Sequence, residues 1–157
     1  MKTPASIKGH PIHPMVVALP IGLWIFSLVA DIINFTQWGS EAWRIVALYT
    51  LGGGVVTALI AAVPGFIDLL SFQEPKLKRM GLAHMTVNLL AVTIFAIDWW
   101  LRYRRATDAR TTFLLSLVGV IFILVSGWIG GTLVHRYRVS VEEGNISDMK
   151  EPAKPTQ

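Results

Sequence analysis

The chain has 157 residues, 53% hydrophobic and 15% charged, with a net charge of +4 and no cysteine. That length holds one compact bundle, and the missing thiols exclude disulfides, cysteine-ligated iron–sulfur clusters and covalent c-type haem, so any metal must take nitrogen, oxygen or thioether ligands. The positive charge does not point to nucleic acid, because Lys and Arg fall in loops flanking long apolar blocks, where they act as topology signals.

The first block follows His10-Pro-Ile-His13-Pro-Met15. Met15 to Ile33 is too long for a signal-peptide core and shows no small-residue cleavage pattern, so it is expected to stay as a helix. Four blocks reach the ~20 residues that a spanning helix needs: about 15–35, 44–72, 81–102 and 112–136. The short connections 36–43, 73–80 and 103–110 predict an all-α integral membrane four-helix bundle, up-down-up-down, with both termini on one side. Residues 1–139 make a single domain, and the polar, Pro-containing 140–157 reads as a mobile tail. Trp38, Trp43, Trp99, Trp100 and Tyr103 gather at one set of helix ends, as an interfacial aromatic belt does. Nine Lys and Arg fall on the face that holds the termini and five on the other, which favours a multi-pass bacterial inner-membrane protein with cytoplasmic termini.

Residues spaced alternately by four and three share one stripe of a helix. The stripes are His13, Val17, Pro20, Trp24, Ser27, Asp31; then Gly54, Ala58, Ala61, Gly65, Asp68; then His84, Asn88, Ala91, Phe95, Asp98; and Gly127, Gly131, His135. Small and polar residues suit an inward seam in lipid, where they allow close approach and find partners across the interface. Pro20 and Pro64 are expected to bend the first two helices.

All four histidines, with Asp68, fall on the face of the termini, and ionisable groups at a membrane segment point to function by default. Three readings follow. In the first, His13 and His84 are axial ligands of a haem b used for electron transfer, with Asp68 and Asn88 hydrogen-bonded around them and Lys78 or Arg79 near a propionate. In the second, His10, His13, His84 and Asp68 hold a transition-metal ion, copper, iron or zinc, with His135, Met15 and Met85 as further candidates. In the third, the protein is a non-catalytic accessory subunit. Asp68 and His84, at one depth on consecutive helices, are expected to touch. Asp31 and Asp98, with Arg44 and Arg102 in reach, read as end-of-helix ion pairs or as part of a proton path. No catalytic triad, phosphate loop or paired catalytic carboxylates stand out, so no catalytic residue is named.

His10-Pro-Ile-His13-Pro-Met-Val-Val-Ala-Leu-Pro-Ile-Gly-Leu-Trp24, Ala62-Val-Pro-Gly65-Phe-Ile-Asp68, His84-Met-Thr-Val-Asn88 and Gly127-Trp-Ile-Gly-Gly131-Thr-Leu-Val134 resemble a family of small bacterial four-helix membrane proteins, the domain of unknown function 2231. The likeness covers about 9–141. In that family the last motif often continues with a tyrosine and, two residues on, a histidine; the order His135-Arg-Tyr137 departs from it and speaks against a ligand role for His135. Some relatives look fused or adjacent to Rieske-type or c-type cytochrome modules, which implies membrane redox chemistry by association. The partners expected are the lipid bilayer, a quinone or redox partner protein, and either further copies of the chain or a larger complex.

Overall fold

A computed structural model of the chain describes residues 3–36 and 40–139. The tail expected over 140–157 and the belt residue Trp38 lie outside the described residues. The elements are β1 (Ser6–Ile7), β2 (His10–Pro11), α1 (Ile12–Val16), α2 (Ala18–Asn34), α3 (Glu41–Leu70), α4 (Pro75–Tyr103) and α5 (Ala109–His135). Four spans, Ile12–Asn34, Glu41–Leu70, Pro75–Tyr103 and Ala109–His135, are long and apolar enough to cross a membrane, so the fold is the all-α membrane four-helix protein that composition predicts.

Local chemistry sets the boundaries. Helix α4 begins well ahead of the expected residue 81 because Pro75 occupies its first position and the Glu74 side chain caps it, accepting the Lys76 and Leu77 N–H groups at 3.0 and 2.6 Å. Asp108 caps α5 in the same way through Thr111 N at 2.8 Å. Pro20 carries no N–H for the Val16 carbonyl, and there the first span divides into α1 and α2 while Val17 keeps helical angles. Ahead of it, β1 and β2 form an antiparallel hairpin, Ser6 opposite Pro11 and Ile7 opposite His10. Its turn residues Lys8 and Gly9 both have positive φ, 49° and 82°, the backbone of a tight two-residue hairpin turn.

The contact register gives the packing. The first span (α1 and α2) runs antiparallel to α3, His13 meeting Ala61, Trp24 meeting Leu51 and Ser27 meeting Ala47. Helices α4 and α5 meet likewise through His84 with Ser126 and Asp98 with Ser116. Across the bundle axis, the first span faces α4 in parallel: His13 meets His84, Trp24 meets Phe95 and Asp31 meets Arg102, each pair 71 residues apart. Three layers therefore fill the axis. The middle one stacks Trp24 on Phe95 with ring centroids 4.2 Å apart, inside a core of Leu51, Val55, Ala58, Ala91 and Ile123.

The stripes expected on the first three helices lie inward: Pro20, Trp24, Ser27, Asp31, Gly54, Ala58, Ala61, Asp68, Ala91, Phe95 and Asp98 are all buried. The stripe expected on the fourth does not. Gly127 and His135 are exposed, and α5 buries Thr112, Ser116, Gly119, Ile123, Ser126 and Leu133 instead. An offset of one residue rotates the facing side by about 100°, since a turn takes 3.6 residues.

Candidate functional site

One end layer is the pair His13 and His84, ring centroids 6.3 Å apart and planes at 86°. His13 Nδ1 lies 2.8 Å from the Ala61 carbonyl oxygen. A carbonyl only accepts, so Nδ1 carries a hydrogen and Nε2 is the nitrogen left for a ligand. For His84 the same result comes from Asn88. Its Nδ2 donates to the His84 carbonyl at 2.9 Å, which fixes the amide's orientation, and also to His84 Nε2 at 3.1 Å. His84 Nε2 is therefore the acceptor, and Nδ1–H donates to the Ser126 carbonyl at 3.1 Å, with Ser126 Oγ at 3.0 Å. Both rings are fixed from behind by a backbone carbonyl at Nδ1, the arrangement that orients an imidazole for ligation through Nε2.

Glycines make room for the rings. A Cβ on Gly65 would stand 2.8 Å from His13 Nδ1, and one on Gly130 would stand 3.0 Å from His84 Cε1. Neither clearance survives a larger residue without movement of the ring. Ser126 and Gly130 are the site residues that sequence reasoning missed. Their signal is the i, i+3, i+4 run Ser116, Gly119, Ile123, Ser126, Gly130, one position away from the glycines chosen.

The remaining candidates lie elsewhere. Asp68 is buried, but its carboxylate accepts the Ala5 N–H at 2.9 Å, and no described hydrogen bond joins it to His84. Instead the segment leading into the N-terminal hairpin folds back over the end of α3 and brings the Ala5 N–H to the carboxylate. Asp68 still acts on the site from a distance: the Ala5 carbonyl accepts the Ile12 N–H at 3.0 Å, so Asp68 holds the segment that starts the helix bearing His13. His10 is exposed on the hairpin with Nδ1 3.1 Å from the Lys8 carbonyl. His135 is exposed at the end of α5, Met15 faces outward, and Met85 packs beside Leu69, Phe72 and Leu77. Lys78 and Arg79 are exposed on the first turn of α4. Among the described residues no three His, Asp or Glu side chains are grouped to hold one metal ion.

Fold and site together define a four-helix membrane protein with two imidazoles anchored through Nδ1 at one end of the bundle. The family model described as predicted membrane protein (DUF2231) matches residues 9–143, and the chain belongs to that family. Among curated proteins it is similar to a probable G-protein coupled receptor of Caenorhabditis elegans, 35% identical over 69 residues, which are 43% of this chain and 16% of that protein. The chain thus spans less than a fifth of that relative's length. No solved structure matches.

Proposed function

We propose that the protein binds haem b between His13 and His84 and transfers electrons in the bacterial inner membrane. The observation that carries this reading is the pair of neighbouring imidazoles, each tied back through Nδ1, with centroids 6.3 Å apart and planes at 86°. Both rings would hold a haem iron through Nε2, the nitrogen that neither backbone carbonyl takes. A tetrahedral site would draw the rings closer and would need further ligands. Two protein ligands is the number a porphyrin leaves open, and His10, Asp68 and His135 are occupied or exposed elsewhere. When bound, haem supplies one-electron chemistry whose potential depends on its axial ligands and burial. His13 and His84 would hold the iron, with the Ala61 and Ser126 carbonyls keeping both rings oriented, and Asn88 would give up its bond to His84 Nε2 while keeping the one to the His84 carbonyl. Gly65 and Gly130 keep the neighbouring helices clear of the rings.

The pair sits at the end of the bundle that also carries Asp68 and the hairpin, so a quinone or an extrinsic redox protein reaches it from that face. The larger number of Lys and Arg that the sequence allots to that face supports reading it as the cytoplasmic one.

Protein purified in detergent from haem-sufficient cells is expected to show a low-spin Soret spectrum, lost in His13→Ala and His84→Ala and kept in His135→Ala. A folded wild-type protein without Soret absorbance overturns the reading. A second reading rests on the Asn88 contact, which leaves His84 fully hydrogen-bonded without any ligand and suits an accessory subunit. Elemental analysis of the same sample separates that outcome from a copper, iron or zinc ion on the two imidazoles.

A further inference from the structure

The opposite end layer is a buried charge cluster. Arg102 Nη1 and Nη2 grip both oxygens of Asp31 at 2.6 and 2.7 Å. Its Nε donates to Asp98 Oδ1 at 3.0 Å. Nη2 also lies 3.1 Å from Asp98 Oδ2 and 3.0 Å from Ser116 Oγ, and those two oxygens are 2.9 Å apart. The side chains of Arg102, Asp31 and Asp98 keep 10%, 8% and 0% of their exposure.

Two carboxylates against one guanidinium leave one negative charge, and an uncompensated charge out of water is costly enough that the group neutralises instead. Among the described residues that line the space beside the cluster, no charge is left over to offset it. A cavity of about 370 Å³ opens beside it, lined among others by Asp31 and Arg102, by Glu41 and Arg44 of α3, and by Arg105 and Asp108 of the last connection. These last four sum to zero. Arg44 pairs with Glu41 at 3.0 Å, Arg105 approaches Glu41 at 3.8 Å, and Asp108 caps α5. Two helices start and two end at this face, so their dipoles oppose one another. Ser116 Oγ donates to Asp98 Oδ2 at 2.9 Å, and a hydroxyl can equally accept there once Asp98 carries a hydrogen.

We infer that the Asp31–Arg102–Asp98–Ser116 cluster is a proton-binding site, holding one proton on Asp98 and exchanging it through Asp31 with water in the adjoining cavity. Asp98 does not line that cavity and Asp31 does, so the proton passes from Asp98 to the Arg102-held Asp31 and on to water. Its return restores the neutral cluster. The site is independent of whether His13 and His84 carry haem.

The test is infrared spectroscopy of the full-length protein in detergent at pH 7. The wild type is expected to show the C=O stretch of a protonated, solvent-shielded carboxylic acid, shifted in deuterated water. The band is expected to vanish in Asp98→Asn and to persist in Asp68→Asn. Asp31→Asn gives the sharper outcome: it leaves Asp98 intact but makes the cluster neutral without a proton, so the band is expected to vanish there too. A folded wild type without the band, a band that survives Asp31→Asn, or one that sodium ions abolish and their removal restores each overturns the inference. If Asp98→Asn fails to fold, the Asp31→Asn result decides alone.

Discussion

Gly65 shapes the histidine pair by what it lacks. The space a methyl group would fill is taken by the His13 ring, whose Nδ1 stands 2.8 Å from the position of a Cβ. A contact that close forces the ring off its bond to the Ala61 carbonyl while leaving both imidazoles in the sequence. Gly65→Ala is therefore expected to remove most of the haem signal, as His13→Ala does, without removing a ligand. Gly22→Ala is the control, because nothing lies within 4 Å of its added Cβ and alanine is the better helix former. Equal Soret intensity per protein in both variants would falsify the claim that the glycine sets the ring's position.

At the scale of elements, the start of α4 depends on a charged cap. The Lys76 and Leu77 N–H groups hold the Glu74 carboxyl below its ordinary value of 4.5. A carboxyl lowered on folding contributes stability that is present above its unfolded value and lost as pH falls through the folded one. The first turn of α4 is expected to fray as pH drops below 4.5, read as loss of hydrogen-exchange protection at Lys76 and Leu77 relative to the intrinsic rate at each pH. Glu74→Ala should show that loss already at pH 7. The cap also explains what could be read from sequence. Apolar blocks and connection lengths reveal four helices, but a Pro in a polar stretch reads as a loop unless the preceding side chain is recognised as its cap. The inward faces of α2, α3 and α4 were legible because polar or aromatic residues interrupt their apolar runs at helical spacing. Helix α5 is apolar nearly all round, its period is faint, and glycines alone misplaced its face by one residue. His13, His84 and Asn88 were legible as a site because each is polar at one depth. The partner of Asp68 was not, because the hairpin that supplies it turns on Lys8-Gly9, which lacks the Asn-Gly or Asp-Gly signature.

Across the whole molecule, the parallel register of the first span against α4 orders the axis. Eleven residues separate His84 from Phe95 and seven separate Phe95 from Arg102, about 16 Å and 10 Å at 1.5 Å per residue. The Trp24–Phe95 stack, closed by Leu51, Ala58 and Ile123, stands between the imidazoles and the charge cluster, so each polar layer communicates with its own face of the membrane. This separation has meaning only if the helices alternate across the bilayer, and the chain's lack of cysteine makes that measurable. Ser6, Lys78 and Arg136 belong to the end of the bundle with the histidines, and Arg105 and Arg110 to the end with the cavity. Single cysteines at 6, 78 and 136 are expected to react with an impermeant maleimide only from the cytoplasmic side of oriented inner-membrane vesicles, and those at 105 and 110 only from the other. Labelling of 6 and 136 from opposite sides would end the four-span topology. Labelling of all five with the two sides exchanged would keep the bundle and place the imidazole pair at the periplasmic face, where an electron partner outside the cytoplasm would meet it.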